Sequence, residues 1–162
     1  MKTLYLMRHA KSSWKDITLD DFDRPLNKRG QRDAPFMGEL LNKRGIKPDI
    51  IYSSPANRTK TTAQIIAKKV GYTKPIKFEN KIYESNLISL KNIIYGINNK
   101  HNIVFLFGHN PCLNIFVEDF CPFYENIPTC GIVMLEFSCE SWDEISMENC
   151  NFALFEYPKK YQ

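Results

Sequence analysis

Most features that mark a specialised protein are missing from this sequence. No apolar run approaches the ~18 residues a membrane-spanning helix needs. No secretory leader is visible either, since the apolar run near the start is only Leu4, Tyr5, Leu6 and Met7. A cytoplasmic protein with no membrane partner is the expectation. There is no Cys-x-x-Cys pair, no His-Glu-x-x-His and no Asp-rich calcium loop, so no familiar metal-ligand spacing appears. No block of basic residues interleaved with aromatics argues for nucleic acid. Linkers, low-complexity tracts and convincing repeats are also lacking, and the 162 residues are expected to form one domain spanning 1–162, long enough to bury a core. The five cysteines are odd in number, and four of them (Cys112, Cys121, Cys130, Cys139) recur every nine residues. Their flanking sequences do not repeat, and unpaired thiols in a reducing compartment are expected.

What is present is an ordinary globular composition, 43% hydrophobic and 25% charged, with a mild net charge of +4. That excess suits a mixed-sign surface or a small anionic substrate. The pattern along the chain alternates between strands and helices. "TLYLM" (3–7), "DIIYS" (49–53) and "NIVFLFG" (102–108) are short continuous apolar runs, the signature of strands covered on both faces. "IKFEN" (76–80) is a weaker candidate. Helical spacing links Ala34, Met37, Leu40 and Leu41, with Gly45 as C-cap, and Pro35 is expected near the first turn. It also links Ala63, Ile66, Ala67 and Val70, stopped by Gly71, and then Leu87, Leu90, Ile93, Ile94 and Ile97. "CLNIFVEDF" reads as a helix opening at Pro111. Two final strands, "GIVMLEF" (131–137) and "NFALFEY" (151–157), have no helix between them and are expected to pair antiparallel. The fold class is α/β, a three-layer, mostly parallel sheet with helices on both faces.

Each of the three best strands runs straight into unusual residues. The first ends in Arg8 and His9, the second leads through "SSPANR" to Arg58, and the third leads through "GHNP" to His109. Ligand sites of open α/β sheets form outside the carboxyl ends of the strands. A single histidine or arginine at such a place is ordinarily a hydrogen-bonded or surface residue, but four at matched places are hard to assign to chance. His101 precedes its strand and reads as surface. Two guanidinium groups can grip a phosphoryl group through charge-assisted hydrogen bonds. One imidazole can attack phosphorus, and a second, protonated, can add a donor.

These residues resemble a known family. "MRHA", "DRPLNKRG" (23–30), "SSPANRTKTTA" (53–63) and "GHNPCL" (108–113) are together similar to the motifs of the histidine phosphatase superfamily, which is phosphoglycerate mutase-like in fold. They look most like the SixA-type phosphohistidine phosphatases. The resemblance implies a phosphatase acting through a phosphohistidine intermediate, with His9 as nucleophile and Arg8, Arg58 and His109 as phosphate pocket, and with no metal or organic cofactor. Ala10 stands where the family commonly has glycine. For the proton donor, Glu84 lies at roughly the family's position, and Asp16, Asp20, Asp21 and Asp23 are rivals. Surrounding positive charge is expected to lower the pKa of His9 and keep it neutral. The expected substrate is a phosphohistidine protein. The alternatives are a small phosphomonoester, a mutase-like phosphotransfer, or a phospho-binding regulatory module with weak activity. Lys11, Ser12 and Ser13 are open between touching the phosphate and turning the chain.

Overall fold

The continuous apolar runs form the middle of one six-stranded sheet in the computed structural model, which describes residues 1–162. The strands are β1 (Lys2–Arg8), β2 (Ile50–Ser53), β3 (Lys77–Phe78), β4 (Ile103–Gly108), β5 (Ile132–Phe137) and β6 (Cys150–Glu156), in the order β3-β2-β4-β1-β5-β6. The β2–β3, β2–β4 and β1–β4 pairs are parallel, and the β1–β5 and β5–β6 pairs are antiparallel. The helices are α1 (Lys28–Lys43), α2 (Asn57–Lys69), α3 (Asn80–Tyr83), α4 (Leu87–Tyr95) and α5 (Cys112–Phe120). None is long and apolar enough to cross a membrane.

The runs are apolar throughout because both faces of the sheet are covered. Alternation along a strand sends Leu4, Leu6, Val104 and Leu106 to one face, where they pack with Leu90 and Ile94 of α4, Leu113 and Phe116 of α5, and Trp142. Tyr5, Met7, Phe105 and Phe107 go to the other face, against Ala34, Met37 and Leu41 of α1 and Ala63 and Ile66 of α2. Trp142 lies in a stretch that reads as a loop. It is nevertheless fully buried, and its indole N–H donates to the His101 carbonyl at 2.8 Å.

Local rules explain most helix ends. Asn27 caps α1 by accepting from the Gly30 amide at 2.8 Å, and Asn86 and Ser89 form a reciprocal capping box on α4. Gly45 and Gly71 end α1 and α2 in the left-handed region, at φ of 69° and 75°. Ile46 and Tyr72 then donate back to Leu41 and Ala67, the bond that satisfies orphan helix carbonyls. Pro35 departs from expectation: α1 starts at Lys28, so the proline sits inside the helix rather than in its first turn. Complete burial of Ala34, Met37 and Leu41 outweighs the ~3 kcal/mol an interior proline costs.

Gly30 answers to space. A Cβ there would stand 2.2 Å from the Lys11 carbonyl oxygen, and this close approach seats the start of α1 against the segment that follows His9. Gly30→Ala is expected to lower Tm by roughly 3–10 °C, an overpacking cost of about 1–3 kcal/mol. Thermal unfolding checks this.

Candidate active site

Parallel pairing delivers three strand ends to one edge. Arg8 stands opposite Gly108 in the β1–β4 register, so the residues that follow, His9 and His109, come side by side with ring centroids 5.2 Å apart. β2 ends beside β4 at Ser53, opposite Phe107, and after a short turn α2 begins at Asn57 and carries Arg58 in its first turn. Arg8, His9, Arg58 and His109 line one cavity of about 390 Å³. A larger groove of about 880 Å³, walled by Phe120, Phe123, Tyr124 and Met147, contains none of the four.

His9 is the most constrained. Its Nδ1 lies 2.7 Å from the carbonyl oxygen of Ala10. A carbonyl only accepts, so Nδ1 carries the proton and Nε2 holds the free lone pair. Backbone bonds fix the neighbourhood: the Cys130 amide donates to the carbonyls of both Arg8 and His9, and the Arg8 amide donates to Gly131. Cys130 makes this contact at φ 62° and is the only non-glycine residue with positive φ, a local strain of about 1–3 kcal/mol. Ala10 therefore needs no glycine. It is fully buried, and its amide donates to Thr62 Oγ1 at 3.0 Å. Thr62 in turn donates to the Arg58 carbonyl at 2.7 Å.

Burial is the first cause that depresses the His9 pKa, to about 3; the hydrogen bond to the Ala10 carbonyl opposes it, and the nearby His109 ring and the charges of Arg58 and Arg8 add to the depression. The expected lowering is present, but its order of causes is reversed. His109 is lowered to about 4, again by burial first and then by Arg58 and Arg8, with Asp21 opposing. Without a bound anion both rings are neutral at pH 7. The Nε2 atom of His109 sits 2.8 Å from Ser54 Oγ and 3.3 Å from Thr59 Oγ1, which holds the ring in place.

The carboxylates divide sharply. Glu84 is exposed at the C-terminal end of α3 and does not line the cavity, whereas its neighbour Tyr83 does. Of the four aspartates in the 16–23 segment, Asp21 alone lines it. Asp21 bridges cations: Oδ2 accepts from Arg58 Nη2 at 3.1 Å and from the Tyr83 hydroxyl at 2.7 Å, and Oδ1 faces Arg24 Nε at 3.3 Å. Its main-chain carbonyl also accepts from Arg58 Nη1 at 2.7 Å. Partial burial pulls its carboxyl upward, but hydrogen bonds from Tyr83 and Arg58 and the charges of Arg58 and Arg24 leave it below the ordinary range. It is ionised at neutral pH. Arg8 donates from Nη1 to the Ile127 carbonyl at 3.0 Å.

Lys11 and Ser12 stand at the cavity and also turn the chain, their backbones pairing with Asn27 and Leu26. Ser13 only turns it, donating its amide to Pro25. Arg24, Trp14, Tyr83, Asn110 and Thr129 also line the cavity and were given no role on sequence grounds. Arg24 lies within "DRPLNKRG" and Asn110 within "GHNPCL", the usable signals, but an aperiodic loop does not reveal where its side chains point. His101 lies before β4, away from these residues. No group of three or more His, Cys, Asp or Glu side chains converges on a metal position, and all five cysteines are free.

Comparison with known proteins agrees with this architecture. Residues 4–106 match the histidine phosphatase superfamily (branch 1), a stretch that includes Arg8, His9 and Arg58. An uncharacterised chloroplastic protein of Arabidopsis thaliana is 30% identical over 152 residues, covering 88% of this chain and 70% of its own. Phosphoglycerate mutase 1 of Saccharomyces cerevisiae is 37% identical over 71 residues, but this covers 43% of the chain and only 29% of the mutase. A structure described as phosphohistidine phosphatase SixA from Agrobacterium tumefaciens superposes with a TM-score of 0.83 at 26% identity, covering 97% of this chain and 98% of that one. Another, the protein histidine phosphatase SixA complexed with tungstate, has a TM-score of 0.84 over 99% of both chains at 16% identity, a likeness of fold. The chain belongs to the histidine phosphatase superfamily and is a histidine phosphatase.

Proposed function

We propose that this enzyme removes the phosphoryl group from a phosphohistidine-bearing protein in two displacements at His9, acting in the cytoplasm as a single domain over residues 1–162. The observation that carries the reading is the Nδ1–H···O=C bond to Ala10, which leaves Nε2 as the nucleophile. In the first displacement the Nε2 lone pair attacks phosphorus while the guanidinium groups of Arg8 and Arg58 and the imidazole of His109 hold the phosphoryl oxygens. The bond from phosphorus to the substrate nitrogen breaks, its electron pair stays on that nitrogen, and solvent supplies the proton. Phospho-His9 keeps its proton on Nδ1, which goes on donating to the Ala10 carbonyl. It is therefore a cationic leaving group, ready for the second displacement by water. The P–Nε2 bond then breaks, the lone pair returns to His9, and the product departs as hydrogen phosphate carrying one proton of the water while the other proton passes to solvent.

Two features support a phosphohistidine protein as substrate. The one carboxylate lining the cavity, Asp21, is ionised and tied to cations, so no protonated acid stands ready for an alkoxide leaving group. A phosphorus–nitrogen bond needs no such acid, because its nitrogen takes a proton from solvent. The loop that runs from Trp14, which lines the cavity, to Phe22 also exposes large apolar side chains: Trp14 at 68%, Ile17 at 91%, Leu19 at 38% and Phe22 at 38%. A small sugar phosphate has no use for such a rim, whereas a protein surface does.

The test compares kcat/KM on a phosphohistidine protein with that on sugar phosphates. A preference of at least tenfold for the protein is expected, and equal or reversed preference would sink the substrate assignment. Ile17→Glu is expected to lower kcat/KM on the phosphoprotein roughly tenfold, the worth of one lost apolar contact. The same variant should leave p-nitrophenyl phosphate turnover unchanged.

A further inference from the structure

In the whole protein, three buried side-chain polar atoms lack a hydrogen-bond partner: Nε of Arg8, Nη1 of Arg24 and Nε of Arg58. All three belong to arginines lining the same cavity. Buried polar groups are otherwise paired as a rule, and a charged donor without a partner is costly. Their convergence at one place points to an anion that the cavity is shaped to receive. Arg8 and Arg58 already have a role in gripping the phosphoryl group, and Arg24 has none.

We propose that Arg24 is a third phosphoryl-binding arginine, seated on Trp14 and closing the cavity from the loop side. This rests on the phosphatase reading of the cavity. Arg24 is only 6% exposed although it lies in a loop of exposed residues. Its guanidinium carbon stands 3.4 Å from the centroid of the Trp14 ring, a cation–π contact that holds the fork over the ring. Asp21 measures the distance between the cations. One carboxylate reaches both Arg24, at 3.3 Å, and Arg58, at 3.1 Å, so the two guanidinium groups are within the span of a single small anion. A phosphoryl group, with three non-bridging oxygens, can engage both and Arg8 as well.

Charge balance agrees. Arg8, Lys11, Arg24 and Arg58 face the cavity against the single carboxylate of Asp21. The excess is three positive charges, and a dianionic phosphoryl group leaves it near balance. A purely structural Arg24 would have its polar atoms satisfied within the loop, but with Asp21 and Trp14 as its partners it still retains an unsatisfied nitrogen.

The experiment titrates the protein with inorganic phosphate, the reaction product, and needs no turnover. In the wild type, the ¹⁵N side-chain resonances of Arg24 are expected to shift on saturation. The emission of Trp14, exposed at the mouth, is expected to change with the same midpoint, while Trp142, buried in the core on one face of the sheet, contributes a constant background. Arg24→Met should weaken phosphate binding about 10- to 100-fold, the usual worth of a charge-assisted hydrogen bond, with kcat/KM falling by a similar factor. Arg24→Lys should restore part of both.

Arg24 resonances that do not move at saturating phosphate would overturn the inference even if Arg24→Met failed to fold. A folded Arg24→Met that binds phosphate as tightly as wild type would do the same. Phosphate binding with the Arg24 response but without phosphatase activity would uphold this inference and defeat the proposed function. Activity with a silent Arg24 would do the reverse.

Discussion

Replacing His9 by alanine is expected to lower kcat/KM on a phosphohistidine protein by about 10⁴- to 10⁶-fold, the scale seen when a covalent nucleophile is removed. Nothing else in the cavity can take its place. His109, 5.2 Å away ring to ring, has its Nε2 facing the hydroxyls of Ser54 and Thr59. The variant should still fold, because the backbone of residues 8–10 is held by Gly131, Cys130 and Thr62 rather than by the imidazole. Labelled substrate should leave acid-labile, base-stable label on the wild type and none on His9→Ala. Near wild-type turnover by the variant, or label on a serine, would end the covalent histidine mechanism.

Lowering the pH from 7 to 5 is expected to destabilise the free enzyme by on the order of 4 kcal/mol. His9 and His109 titrate near 3 and 4 in the folded protein, against an ordinary imidazole value near 6.5. Above about 6.5 both rings are neutral whether folded or unfolded, and they contribute no pH dependence. Between about 6.5 and 4 the unfolded chain binds protons that the folded protein refuses, so stability falls as the pH falls. At pH 5 each ring lies roughly 1.5 pH units below its unfolded value, about 2 kcal/mol apiece at 1.36 kcal/mol per unit.

That loss is a large part of the 5–15 kcal/mol that usually holds a domain together. Urea unfolding at the two pH values measures it. Phosphate should reduce the loss, because an anion between the rings raises their folded-state pKa values and binds only the folded form. His9→Ala should flatten the acid side by about half. A wild type equally stable at pH 5 and 7 would contradict the burial-driven shifts.

Much of the site is legible in the sequence because parallel strands obey a simple rule. Runs such as Leu4–Met7 and Val104–Phe107 are apolar at every position, which marks them as interior strands. The residues just beyond them must then emerge at one edge of the sheet. That places Arg8, His9 and His109 without any knowledge of contacts, and Arg58 follows because it opens the next helix. The helix stops at Gly45 and Gly71 and the final antiparallel pair are readable for the same reason: each depends on residues close in sequence.

Other features depended on neighbours distant in the chain. Pro35 lies within α1 because tertiary burial of the flanking apolar face outweighs a local penalty. Asp21 and Arg24 sit in an irregular loop, and only packing against Arg58, Tyr83 and Trp14 turns them inward. Glu84 and Tyr83 are adjacent in sequence, yet the end of α3 exposes one and brings the other to the cavity.

The sequence by itself determined the order of elements, the double-sided sheet and the identity of the four strand-end residues, since periodicity and strand direction are encoded locally. The tertiary structure alone decided the chemistry of those residues. It set the tautomer of His9 through the Ala10 carbonyl and kept both imidazoles neutral chiefly by burial. It also brought a third arginine into the cavity. Burial and electrostatic coupling are properties of atoms brought together from positions 8 to 130, and they exist only once the chain has folded.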